Sequence, residues 1–270
     1  MHPANLSDPW IELRRHTSAR IGIGSSGNSV PTAELLRFGV AHAQARDAVH
    51  LPLDAQALRL DLLGEGFDVL ELESAAPDRA SYLRRPDLGR TLSERSRDAL
   101  THRPDAGCDV LCVIGDGLSA TAVQRHAVRL LVELRPLLDK AGLRMGPVVV
   151  ARQARVALGD PIAQALDARS VLMLIGERPG LSSPDSLGAY LTWAPRPGRA
   201  DSERNCVSNI RPQGLALAVA AHRLAWLLAA ARRLGASGVA LKDESRGALI
   251  ADSESERRDE PPGMLGARSD

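Results

Sequence analysis

Residues 109–117, Asp-Val-Leu-Cys-Val-Ile-Gly-Asp-Gly, form a short apolar run that ends at two glycines flanking an aspartate. A run of this length closed by a turn signal reads as a strand buried on both faces. Immediately after it, Ser119 can cap a helix in which Val123, Ala127, Leu130 and Leu134 recur at helical spacing. Pro136 strains that helix and Gly142 stops it. PVVVAR (147–152) is a second apolar run, after which Asp160-Pro161 opens another helix, with Asp as cap and Pro in the first turn. SVLMLIGERPG (170–180) is a third run, and it too ends in glycine.

Strand, helix, strand, helix, strand in this rhythm predicts an α/β fold: a Rossmann-like, mostly parallel sheet flanked by helices. Right-handed crossovers place the C-termini of such strands along one edge. The loops Gly115-Asp116-Gly117, Gln153-Ala154-Arg155-Val156 and Gly176-Glu177-Arg178-Pro179-Gly180 then meet there, on the edge where open α/β sheets bind ligands.

Upstream, residues 1–104 read as a mostly helical N-terminal region. TAELLRFGVAHAQARDAVH (32–50) follows Pro31 in a first-turn position, with Leu35, Phe38, His42, Ala45 and Val49 as its packing stripe. His42 reads there as a hydrogen-bonded packing residue rather than a ligand. The segment SYLRRPDLGRTLSERSRDAL (81–100) stays helical and polar, with turns at Arg85-Pro86 and Leu88-Gly89. Downstream, SLGAYLTWAP adds a further strand and RADSERNCVSNI reads as loop. PQGLALAVAAHRLAWLLAAARRLGA is a long Ala/Leu helix closed by Arg232, Arg233 and Gly235. Residues 105–243 are thus the sheet domain. The charged, Ser/Pro-rich segment 244–270 reads as a disordered tail.

Composition removes several function classes. Lys plus Arg (34) and Asp plus Glu (33) nearly cancel, and aromatic residues make up 3% of 270, so neither a polycationic field nor a stacking platform suits nucleic acid. Apolar runs are short and broken by arginine, which excludes a membrane span. The N-terminus lacks an apolar signal core, and three cysteines cannot all pair, so a reducing, cytoplasmic setting is expected. Cys108 and Cys112 would share a strand face, but no further Cys or His completes a zinc site, and they read as buried thiols.

Gly22, Gly24 and Gly27 in RIGIGSSGNSVP match G-x-G-x-x-G. A dinucleotide fingerprint also needs a buried strand before the glycines, a helix starting within them, and an acid on a second strand about twenty residues later. Here the preceding run is only Ile21 and Ile23, the helix waits until Pro31, and Asp47 falls inside helical QARDAVH. The glycines therefore read as a loop. No G-x-S-x-G elbow, P-loop or H-E-x-x-H pair is present, and carboxylates are scattered.

In order along the chain, LLRFGVAHAQARDAVH, YLRRPDLGRTL, VIGDGLSA, IGERPGLSSPDSLGAY, RNCVSNIRPQG and ASGVALKD resemble the small (light) subunit family of ethanolamine ammonia-lyase over residues 35–243. IGERPGL followed by R-x-C-x-S-N-I is the sharpest pair. The resemblance implies an adenosylcobalamin-dependent radical lyase that turns ethanolamine into acetaldehyde and ammonia. It implies a TIM-barrel large subunit that holds the substrate, a hetero-oligomer, and in some members a place inside a bacterial microcompartment. No catalytic residue is then expected on this chain.

The family's cofactor contacts fall on Val156, Glu177 and Cys206. A corrin rim carries many amides, so Glu177 and a Val156 backbone group can accept their N–H bonds. Pro179-Gly180 suits a type II turn that would fix Glu177 at the strand end. Cys206 could be a soft cobalt ligand, but the resemblance implies a hydrogen-bond or packing contact from a loop, with cobalt held by the corrin. Cobalamin proteins that replace the lower axial base use D-x-H-x-x-G, which is absent, so the cofactor is expected to keep its dimethylbenzimidazole. Two other readings stay open at this point: a nucleotide-binding oxidoreductase resting on GIGSSG alone, and a non-catalytic scaffold. Taken alone, Val156 would read as core, Glu177 as a surface ion pair with Arg178, and Cys206 as a small filler.

Overall fold

A computed structural model describes residues 10–17, 19–101 and 107–245. The expected boundary at 104/105 and the tail beyond 245 lie outside them. The elements in order are α1 (Trp10–Arg14), α2 (Thr32–His50), α3 (Ala55–Gly64), β1 (Val69–Glu73), α4 (Arg79–Arg84), α5 (Glu94–Thr101), β2 (Cys108–Gly115), α6 (Ala120–Lys140), β3 (Met145–Arg152), α7 (Gly159–Ala165), β4 (Ala168–Gly176), β5 (Leu187–Trp193), β6 (Arg204–Ile210) and α8 (Leu217–Leu234). One six-stranded sheet runs β1-β3-β2-β4-β5-β6; its first four strands are parallel, and β5 and β6 are antiparallel.

The three runs that predicted the sheet are its centre. Val110, Cys112 and Ile114 of β2 face a core shared with α3, α6 and α8. Leu111 and Val113 face a second core closed by α5, α7 and the turn at Leu158. Apolar residues on both faces are what a strand between two helical layers requires. Helix α6 buries its expected stripe completely, Ser119 caps it by accepting from Ala122 N–H (3.2 Å), and Pro136 lies inside it without ending it. Gly142 takes a positive φ of 63° just past its end.

Several expectations are corrected. Residues 69–73 pair in parallel with β3, so the helical N-terminal region also supplies a strand. Leu70 and Leu72 alternate there with Glu71 and Glu73, a period-two signal too short to stand out among helical neighbours. Helix α2 forms as expected, but Leu35 and Phe38 are 61% and 44% exposed and only Ala41 and Ala48 are buried. Apolar residues lie all round that helix, and spacing alone cannot say which face meets the core. His42 is exposed and stacks on Phe38, with ring centroids 6.2 Å apart. Cys108 and Cys112 belong to different core clusters, and burial pushes the Cys112 thiol up to about 12. The glycines of GIGSSG lie in the loop between α1 and α2, not between a strand and a helix. No helix among the described residues is long and apolar enough to cross a membrane.

Asp160 does not cap α7. Its carboxylate accepts two bonds from the Arg204 guanidinium on β6, Nη1–Oδ1 at 2.8 Å and Nη2–Oδ2 at 2.6 Å, and Arg204 also donates to Thr192 Oγ1. Both side chains of this pair are almost completely buried. It ties α7 to the far side of the sheet. Removing one partner strands a buried charge, so Arg204→Met is expected to cost about 3–5 kcal/mol in urea unfolding, and the Asp160→Leu, Arg204→Met double variant to recover much of it. Equal stability of the single variant and the wild-type chain would refute this role.

Candidate functional site

The C-terminal edge of the parallel strands is held together by Asp116, buried at the end of β2. Its carboxylate accepts from Gln153 N–H (3.1 Å) and Ala154 N–H (2.8 Å) at the end of β3, and pairs with Arg79 Nη1 (3.2 Å) from α4. Burial holds this carboxyl above its ordinary range, against the pull of those N–H groups and of Arg79. Gln153 adopts a left-handed φ of 54°, which brings both amides onto one carboxylate.

On the other side of β2, Leu118 N–H donates to Gly176 O (2.9 Å) at the end of β4. A Cβ on Gly176 would come 2.0 Å from Ser119 O, and one on Gly117, at φ 55°, would come 2.3 Å from Gly176 O. Only backbone fits between these two strand ends. The loops after β2, β3 and β4 thus meet along one edge.

Tyr82 fixes the loop that carries Val156. Its buried hydroxyl donates to Ala154 O (3.0 Å), and the guanidinium carbons of Arg79 and Arg155 lie 4.8 and 4.3 Å from the ring centroid. Val156 follows as the first residue of a short 3-10 turn, Val156–Leu158, and is half-buried against the core under α7. Its carbonyl already accepts from Gly159 N–H. Its N–H makes no hydrogen bond among the described residues, so a donor is available here beside the carbonyl.

Glu177 follows β4 directly. Its Oε2 accepts from Ser186 Oγ and from Asn209 N–H (3.2 Å), and Oε1 accepts no hydrogen bond among the described residues. No ion pair with Arg178 forms; that arginine is exposed. The carboxylate lies over Gly188 of β5, where an added Cβ would meet Oε1 at 2.9 Å. The expected type II turn is not made, because Gly180 keeps an ordinary φ and instead pairs with Ser183 through reciprocal backbone bonds. Ser186 and Asn209 do the fixing.

Cys206 is on a strand, not a loop. It lies exposed on the outermost strand β6, opposite Tyr190 of β5. RADSERNCVSNI is polar because β6 is an edge strand with one open face, which reads like a loop in sequence. The Cys206 thiol is held above its ordinary range by desolvation first and by Glu177 as a secondary cause, while the Tyr190 hydroxyl opposes this by donating to the sulfur. Glu177 and Cys206 therefore share one sheet face at one edge. Val156 packs on the same core cluster as Tyr190. Tyr190 was passed over in the sequence, although its place two residues after Gly188 in a period-two strand could have found it. A cavity of about 830 Å³ between Leu100, Pro161 and Pro197 is lined by none of the three. No group of metal-binding side chains occurs among the described residues.

The architecture defines an α/β protein whose mixed sheet leaves one face of its antiparallel edge open beside the loops of the parallel strands. The chain belongs to the ethanolamine ammonia-lyase light chain family, whose model matches residues 7–242. It is 51% identical to a Pseudomonas fluorescens protein named ethanolamine ammonia-lyase small subunit, over 91% of this chain and 90% of that one. It is 56% identical to the protein of that name from Bradyrhizobium diazoefficiens, over 90% and 94% of the two chains. For the Azotobacter vinelandii protein of the same name the identity is 53%, over 90% and 91%.

A raised thiol reacts slowly. Iodoacetamide is expected to alkylate Cys206 at pH 8 more slowly than a free cysteine, with the rate rising as pH climbs past the ordinary thiol range. Glu177→Gln removes a neighbouring negative charge and should speed the reaction. Mass spectrometry of the full chain reads both, and free-cysteine reactivity at pH 7 would contradict them.

Proposed function

We propose that this chain is the small subunit of an adenosylcobalamin-dependent ethanolamine ammonia-lyase, and that Val156, Glu177 and Cys206 hold the corrin against a large subunit that carries the substrate site. When bound, the coenzyme supplies the radical chemistry that removes ammonia from the substrate. The residues present fit such a group. Glu177 Oε1 is an acceptor with no donor among the described residues, held in place through Oε2 by Ser186 and Asn209, and suits an amide N–H of the corrin rim. The Val156 N–H suits an amide carbonyl. The open face around Tyr190 and Cys206 suits the flat body of the macrocycle.

The observation that carries this reading is the Glu177 carboxylate, pinned by one oxygen and open at the other, on an uncovered sheet face of a chain in this family. On this reading the subunit binds the coenzyme, orients it and excludes water, while the partner holds the substrate. A hetero-oligomer with a larger subunit follows from the same reading. Nucleotide binding has no support, because its glycines lie in a loop far along the chain from the sheet edge.

Co-expression with the large subunit and assay with ethanolamine and adenosylcobalamin is the direct test: activity should require both chains. Glu177→Ala should weaken cobalamin binding by about 1–3 kcal/mol, since it leaves a corrin amide unpaired. Wild-type affinity in that variant would remove Glu177 from the site. With nitrogen-15 in protein histidine, the electron paramagnetic resonance spectrum of the cob(II)alamin form should show no histidine coupling, because the cofactor keeps its own base.

A further inference from the structure

We propose that Tyr190 is a further contact in this site, its ring forming the floor on which the macrocycle lies and its hydroxyl donating to a ligand amide carbonyl. The inference rests on the reading above. Gly188, Tyr190 and Thr192 alternate onto one face of β5, and Cys206 and Arg204 of β6 lie opposite Tyr190 and Thr192. At one end of this strip the Arg204–Asp160 pair, with Thr192, is sealed under α7. At the other end Glu177 lies over Gly188. Tyr190 stands between them, with Cys206 opposite it and Val156 packed on the same core cluster.

The chain has only two tyrosines, and they contrast. Tyr82 is completely buried, and its hydroxyl is spent on Ala154 O. Tyr190 is half-buried: its ring packs on the second core, and it stands opposite Cys206, whose sulfur is a weak acceptor. Glu177, over Gly188, and Tyr190, two residues on, thus present an acceptor and a donor on one face of β5, the two kinds of partner that a primary amide takes. A half-exposed tyrosine with a solvated tip is the kind of ring that ligand and subunit interfaces use.

The test uses the co-expressed two-subunit complex and adenosylcobalamin, followed by visible absorbance titration. Tyr190→Phe should weaken binding about three- to tenfold, the loss of one hydrogen bond, and Tyr190→Ala should weaken it further. Cobalamin should protect Cys206 from iodoacetamide in the wild-type complex and less well in Tyr190→Ala. The melting temperature of the cofactor-free complex should be unchanged in Tyr190→Phe, which separates a ligand contact from a packing role. Wild-type affinity in Tyr190→Phe, with Glu177→Ala still impaired, would overturn the contact and leave the site standing. A wild-type complex that binds no cobalamin would overturn the site itself.

Discussion

The carboxylate of Asp116 is the constraint on which the functional edge depends. Three parallel strands end there, and each brings backbone amides that lose water as the loops close over them. One buried side chain satisfies two of those amides and an arginine from the helical N-terminal region. Because Gln153 must take a left-handed backbone to present its N–H, the loop leading to Val156 has little freedom. On the opposite side of β2, glycine lets backbone meet backbone at Gly117 and Gly176, which sets where β4 ends and Glu177 begins. Loops keep an accurate place only if they are held, and at Gly117 and Gly176 they are held by contacts that leave no room for a side chain.

A second constraint shapes the open face. Helix α7 covers β4, and its Asp160 reaches Arg204 on β6. The antiparallel pair β5–β6 is packed by α8 on one side; on the other, Thr192 and Arg204 are buried at one end, while Cys206 is exposed. A buried ion pair contributes little net stability, but it does dictate where an element docks. The open face lies directly beside the Asp116 edge, so the two constraints together make one surface.

Much of this was legible in the residues. The apolar runs at 109–117, 147–152 and 170–180 read as strands between two layers, and the glycines that end the first and third mark the edge. Ser119, Gly142 and Gly235 mark helix ends where the structure has them. The short strand at 69–73 was hidden because its period-two pattern spans one helical turn's length among helical neighbours. The polar strand 204–210 was hidden because one of its faces is exposed. Asp160 looked like a helix cap, since a carboxylate before proline is the ordinary cap signal, until Arg204 arrived from across the sheet.

By itself, the sequence determined the class of fold, the order of its central elements and the family motifs GERPGL and R-x-C-x-S-N-I. These depend on periodicity and on residue types that act locally, at a turn or on one face. Only the tertiary structure decided that Glu177 bonds to Asn209 rather than Arg178, that Cys206 stands opposite Tyr190, and that Asp160 serves a strand instead of its own helix. Each of those pairings joins residues far apart in the chain, and strand register and helix docking select the partner. A local pattern carries no record of either.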